Sequence, residues 1–171
     1  MRNFVIITFL FFYSLVSTGQ VNKSEESILQ AEFYASTSQI KELMDSYGIG
    51  IGLDYKMNLL LIGTEISAFT KAISGGYESD HYLNIDFLGG IHKKIKKIDI
   101  SVASGVGLSI RDEGKDNLFL QEESYTKLAL PIRVKANYFV NDKFLIGFGA
   151  YSSLTSKVDI YSIFFSIGYQ F

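Results

Sequence analysis

Along most of this chain, bulky apolar residues alternate with small or polar ones. Residues 47–56 place Tyr47, Ile49, Ile51, Leu53 and Tyr55 on one face and Gly48, Gly50, Gly52, Asp54 and Lys56 on the other. At 60–70, Leu60, Ile62, Ile66 and Ala68 oppose Leu61, Gly63, Glu65 and Ser67; at 81–92, Leu83, Ile85, Phe87 and Ile91 oppose Asn84, Asp86 and Gly90. The pattern recurs at 97–110, 126–138, 144–150 and 158–171, where Tyr161, Ile163, Phe165, Ile167, Tyr169 and Phe171 form the apolar file. A period of two is the side-chain period of a β-strand. Seven strands follow from it. Residues 28–36 make an eighth, with Leu29, Ala31, Phe33 and Ala35 opposing Gln30, Glu32, Tyr34 and Ser36. A helix competes there, because Ser24 and the nearby glutamates resemble a helix start. An even count, which closes an antiparallel barrel with both termini on one side, favours the strand.

Connection lengths support the count. Long links at 37–46, 71–80 and 111–124 alternate with short ones at Met57-Asn58, 93–96 and 140–142, and a seventh near 154–157 is short where a long one is due. Membrane barrels have short turns at one end and longer loops at the other. The expected fold is all-β: an eight-stranded, antiparallel, up-and-down transmembrane β-barrel.

Alternation alone does not say which face is outside, since a soluble lipocalin-like binder turns its apolar face inward. Three features favour an apolar exterior. Gly48, Gly50, Gly52, Gly63, Gly105, Gly107, Gly147 and Gly149 all fall on the polar parity; on a water-facing surface they weaken strands for no gain, whereas a narrow lumen needs small residues. The same parity carries Glu32, Asp54, Glu65, Asp86 and Asp99 with Lys56, Lys127, Arg133 and Lys135, an expected interior charge network that pairs its own buried charge. Finally, Tyr47 and Tyr55, like Tyr161 and Tyr169, are eight residues apart on the apolar parity. That spacing rises roughly 20 Å along a tilted strand, close to the ~25 Å band between the aromatic girdles of membrane barrels.

Composition agrees. Apolar residues make up 47% of the 171, charged residues 20%, and proline occurs once; mean hydropathy is +0.17. Beyond the N-terminus no apolar run approaches the ~18 residues of a helical span. Residues 1–19 read as a signal peptide, with Arg2, the apolar stretch Phe4–Val16 and a small-x-small cut before Gln20. Residues 20–27 are then a short polar segment and 28–171 the barrel, exported to the outer membrane of a Gram-negative bacterium. The chain has no cysteine, which excludes disulfides, thiolate chemistry and cysteine metal sites. A net charge of −2 argues against nucleic acid as a partner.

The strand pattern and the ending "YSIFFSIGYQF" resemble small eight-stranded outer-membrane barrels of the OmpA and OmpX type, over about residues 28–171. The motif "GIGIGLDYK" is similar to small barrels exported by Bacteroidota. The resemblance implies outer-membrane lipids as surroundings, a monomer, and recognition of Phe171 by the barrel-assembly machinery during insertion. It implies no catalytic motif and no cofactor.

Candidate chemistry is sparse. His81 lies beside Ser79 and Asp80, which invites comparison with barrel enzymes that modify lipid A, but three successive strand residues point in alternating directions and assemble no triad. His92 adjoins a basic turn and reads as solvated. The "KKIKK" stretch at 93–97 is either a contact for anionic headgroups or simply a soluble turn. The segment 111–124, with five acids and two bases around Leu118-Phe119-Leu120, is either a surface patch for a partner or divalent cations, or strand continuing above the membrane. No metal-ligand spacing stands out. Pro131 cannot donate to a ladder, so an unpaired neighbour is expected there without loss of register. The expected role is structural or interactive through the longer loops, with a plugged lumen; a small pore and a lipid A-modifying enzyme are the alternatives.

Overall fold

The computed structural model describes residues 27–40, 43–71, 80–113 and 124–171. The signal-peptide reading of 1–19 falls outside them, as do Ser79 and the Leu118–Leu120 stretch. Eight strands form one closed antiparallel barrel: β1 Ser27–Ile40, β2 Leu43–Met57, β3 Leu60–Lys71, β4 Asp80–Ile95, β5 Ile98–Glu113, β6 Tyr125–Phe139, β7 Phe144–Thr155 and β8 Ile160–Gln170. Each strand pairs with its sequence neighbour, and β1 closes on β8 from Gln30↔Gln170 to Ile40↔Ile160. No strand edge is left open. Residues 28–36 are strand, not helix.

The burial pattern follows the period of two, with its sign set by the membrane reading. In β1, Gln30, Glu32, Tyr34, Ser36 and Ser38 are buried, while Leu29, Phe33 and Ala35 face out. Ile62 is 65% exposed and Phe87 62%, whereas Asp86 and Asn84 are at 0%. A water-soluble binder is the inverse of this arrangement.

Several boundaries differ from the sequence reading. The long link expected at 37–46 is strand on both sides, paired out to Ile40↔Leu43 with only two residues between. Thr37, Ser38 and Gln39 are all polar, which hid the continuing alternation; their ladder to β8 holds them extended. Residues 111–113 likewise belong to β5, and β7 runs on to Thr155. The turn expected at 93–96 contracts to 96–97. The tight turns after β2 and β4 place Asn58 at φ 55° and Lys96 at φ 56°, the left-handed region that asparagine tolerates and lysine does not favour.

Around Pro131 the β5–β6 ladder lapses between Ser104↔Ile132 and Gly107↔Ala129 and resumes in the same register. On the other side Pro131 stays aligned with Ser153. The missing N–H breaks pairing on one side only.

Candidate functional site

The inward parity converges on the lumen, which its side chains line in two layers. The layer nearer the chain termini is ionic. Arg133, 3% exposed, donates from Nη2 to Asp54 Oδ1 at 2.7 Å and from Nη1 to Glu65 Oε2 at 2.9 Å. Lys135 Nζ donates to Glu32 Oε1 at 2.5 Å and Asp54 Oδ2 at 2.8 Å. Glu32 also accepts from Asn137 Nδ2 at 2.9 Å, Ser166 Oγ at 2.8 Å and Gln30 Nε2. Lys56 Nζ extends the network, donating to Gln30 Oε1 at 2.7 Å and Asp99 Oδ2 at 2.5 Å. Buried charge is tolerated when each ion meets a counter-ion and its remaining lone pairs are satisfied.

His92 is corrected by this network. It is 8% exposed and its Nδ1 lies 3.1 Å from Asp99 Oδ1. The basic turn that suggested solvation begins after it, and its even position in β4 turns it inward with Asn84 and Asp86. Asp86 forms no ion pair among the described residues; its Oδ2 accepts from Tyr151 OH at 2.6 Å. Lys127 stands apart from the other predicted network residues: it points inward near the far end, half-buried, and no ion pair among the described residues reaches it.

The layer toward the far end is apolar and was not anticipated. Tyr34, Phe69, Tyr82, Tyr151 and Phe164 cluster with Ile40, Val158 and Ile160, all buried. Tyr34 and Phe164 pack at 5.1 Å between ring centroids, Phe69 and Tyr151 at 6.1 Å. Two of these tyrosines join the layers, since Tyr34 OH donates to Glu65 Oε1 at 2.5 Å and Tyr151 reaches Asp86.

The register explains how so narrow a barrel holds such residues. Inward glycines sit directly across from large inward side chains: Gly50 from Tyr34, Gly48 from Phe69, Gly149 from Phe164 and Gly107 from Asp86. A methyl group on Gly50 would lie 2.2 Å from Tyr34 Cζ, and one on Gly149 2.5 Å from Phe164 Cζ. Each glycine vacates the volume its partner fills. A large residue on the small-residue parity was the available signal, but the pairing needs the register.

Outside, Tyr47 (opposite Thr37) and Tyr161 (opposite Gln39) flank β1 toward its far end, and Tyr55 (opposite Leu29) and Tyr169 (opposite Ala31) flank it near the termini. Phe144 and Phe171 stand edge-on to Tyr169 at 5.2 and 4.9 Å. A recess of about 640 Å³ lies over small Ala150 and Ser152 between the outward-facing Ile132, Val134, Tyr161 and Ile163, and buried Ser38, Ser46, Tyr151 and Ser162 also line it. His81, exposed at the far end, lies 3.3 Å from Thr70 Oγ1 on β3.

Neither a family model nor a curated protein matches the chain in sequence. Solved structures do match it in shape. Ail, the attachment invasion locus protein of Yersinia pestis, aligns with a TM-score of 0.62 at 15% identity, over 87% of this chain and 100% of Ail. Neisserial surface protein A gives 0.61 at 11% identity, over 86% and 98% of the two chains. OprG from Pseudomonas aeruginosa gives 0.61 at 12%, over 89% and 98%. The fold is the eight-stranded outer-membrane barrel. Its apolar outer wall and closed ladder are what a bilayer demands, because backbone polar groups in lipid must find their partners within the sheet.

Proposed function

We propose that this outer-membrane barrel is sealed, monomeric and non-enzymatic, and that its biological contacts are made at the far end through the segments joining β3 to β4 and β5 to β6. The observation that carries the sealed lumen is the stack of ion-paired and aromatic layers, which occupies the bore an eight-stranded barrel has only just enough room to fill. Planar-bilayer recording tests it: no stable conductance steps are expected, and large reproducible steps would refute the seal. The closed ladder supports a monomer, since it offers no free edge to a second copy. Against a lipid A-modifying enzyme stands the order Ser79-Asp80-His81, successive residues that point in alternating directions along a strand. Overexpression should leave lipid A unchanged; an altered lipid A that reverts with His81→Ala would establish the enzyme instead.

Ail was crystallised with the heparin analogue sucrose octasulfate. The segment 111–124 of this chain carries five acids and two bases, which favours a basic protein surface over a sulfated glycan. The barrel should therefore pass through a heparin column at moderate salt, and firm retention would reverse that choice. In the same reading the four tyrosines form the aromatic girdles at the two interfaces, and Phe171 serves the barrel-assembly machinery.

A further inference from the structure

The end of the barrel that carries the chain termini holds lysines that neither the lumen nor the far-end contacts use. Three connections lie there, at 58–59, 96–97 and 140–143. Lys93, Lys94, Lys96 and Lys97 surround the second and Lys143 closes the third, all exposed. None of the five forms an ion pair among the described residues. Asp99, opposite Lys94 in the ladder, is buried and already held by Lys56 and His92. Among the described residues, Asp142 is the exposed carboxylate beside them.

Two of the lysines are held in place without being neutralised. Lys94 Nζ sits 3.9 Å from the centroid of the Phe139 ring and Lys143 Nζ 5.8 Å from that of Tyr169; a ring face attracts an ammonium but leaves its charge intact. A backbone bond from Phe139 N to Lys97 O at 2.8 Å joins the two turns, and one from Gln170 N to Lys143 O at 2.8 Å ties the second to β8. Asn141 Oδ1 accepts from the backbone N–H groups of Lys143 and Phe144 at 2.9 and 2.8 Å, which fixes the turn itself. The remaining turn, Asn58-Leu59, is uncharged, so the basic arc covers only the β4–β7 side. Exposed Ile95, Ile98, Tyr138, Val140 and Phe144 border it. Positive charge directly above an apolar wall is the profile of a membrane interface, with hydrocarbon below and phosphates alongside.

We propose that this arc binds anionic phospholipid headgroups in the leaflet at the terminal end of the barrel. The lysine ammonium groups pair with phosphate oxygens, while Phe144, Tyr169 and Phe171 seat the glycerol and the first acyl carbons. The proposal rests on the membrane-barrel reading and is tested apart from it. The folded barrel is placed in phosphatidylcholine bilayers, and electron paramagnetic resonance compares the fraction of spin-labelled phosphatidylglycerol and of spin-labelled phosphatidylcholine immobilised at its surface. One lysine near an anionic surface is worth about fivefold in association, so the wild type should favour phosphatidylglycerol at least about fivefold. The preference should collapse near 1 M salt, where the Debye length shrinks to about 3 Å. Replacing Lys93, Lys94, Lys96, Lys97 and Lys143 together by glutamine should bring it below about twofold, and replacing them by arginine should preserve it. Equal immobilisation of the two lipids by the wild type, or an undiminished preference in the glutamine variant, overturns the proposal. Unboiled gel migration verifies that each variant is folded, and failure of the wild type to enter bilayers at all would instead overturn the membrane reading.

Discussion

Arg133 offers the sharpest test of the lumen, because its guanidinium bridges two carboxylates from different strands. Arg133→Met keeps the side-chain length and removes the charge. Glu65 then retains Tyr34 at 2.5 Å and Asp54 retains Lys135 at 2.8 Å, so neither carboxylate is left without a donor. Breaking a buried pair by removing one partner costs about 3–5 kcal/mol, and the surviving donors place this case near the lower end, at about 3 kcal/mol. The chain has no tryptophan, so urea unfolding in phosphatidylcholine vesicles is best followed by far-ultraviolet circular dichroism and by migration on unboiled gels. The second arm is a background in which Asp54→Asn and Glu65→Gln have already neutralised both carboxylates. There Arg133 is a buried cation without its partners, so the methionine should cost nothing or stabilise the barrel. A loss below about 1 kcal/mol in the wild-type background, or the same loss in both, would refute the ion-paired lumen. Conductance should stay silent throughout, since the aromatic layer does not depend on Arg133.

Three further outcomes are expected. Gly50→Val forces a branched side chain against Tyr34 and should cost about 1–3 kcal/mol of overpacking in the same urea titration, whereas wild-type stability would dismiss the glycine–ring pairing. Lys96→Asn relieves a left-handed lysine and should raise stability by on the order of 1 kcal/mol; a midpoint unchanged or lowered would contradict the turn geometry. Deleting Phe171 removes an edge-on contact with Tyr169 worth about 0.5–1.5 kcal/mol, so the refolded barrel should lose little while the amount assembled in cells falls several-fold. Normal assembly of the deletion in cells would remove the assembly role.

What the sequence made legible was whatever depends on parity alone. The strands, their number, the outward apolar file and the inward position of Glu32, Asp54, Glu65, Asp86, Asp99, Arg133 and Lys135 follow from a period of two and need no knowledge of pairing. Pro131 was readable for the same reason, since a missing N–H is a local fact. What depends on register was not legible. Phe164 occupies the small-residue file of β8, and nothing in its neighbours says that Gly149 stands opposite to receive it. The first far-end hairpin was misplaced because Thr37, Ser38 and Gln39 carry no strong apolar contrast, and β8 rather than local propensity holds them extended.

The two layers of the lumen also divide the work of specifying this fold. In a soluble protein the apolar core drives collapse, but here the apolar surface meets lipid whether or not strands are correctly aligned, so it cannot by itself select a register. A slip of one residue would turn Arg133 and Lys135 toward hydrocarbon, where a cation at the bilayer midplane costs about 2–4 kcal/mol. A slip of two would keep parity, and because Gly48, Gly50 and Gly52 follow one another on the inward file it would leave Tyr34 facing a glycine in either direction; it is felt at Phe164, which in one direction would meet Tyr151 in place of Gly149. The ionic layer thus penalises odd slips, and the glycine–ring pairs penalise an even slip only where the ring meets a side chain in place of a glycine, as Phe164 would against Tyr151. The charged side chains of the lumen therefore restrain the register in a way that the outward apolar file, which meets lipid in any alignment, does not.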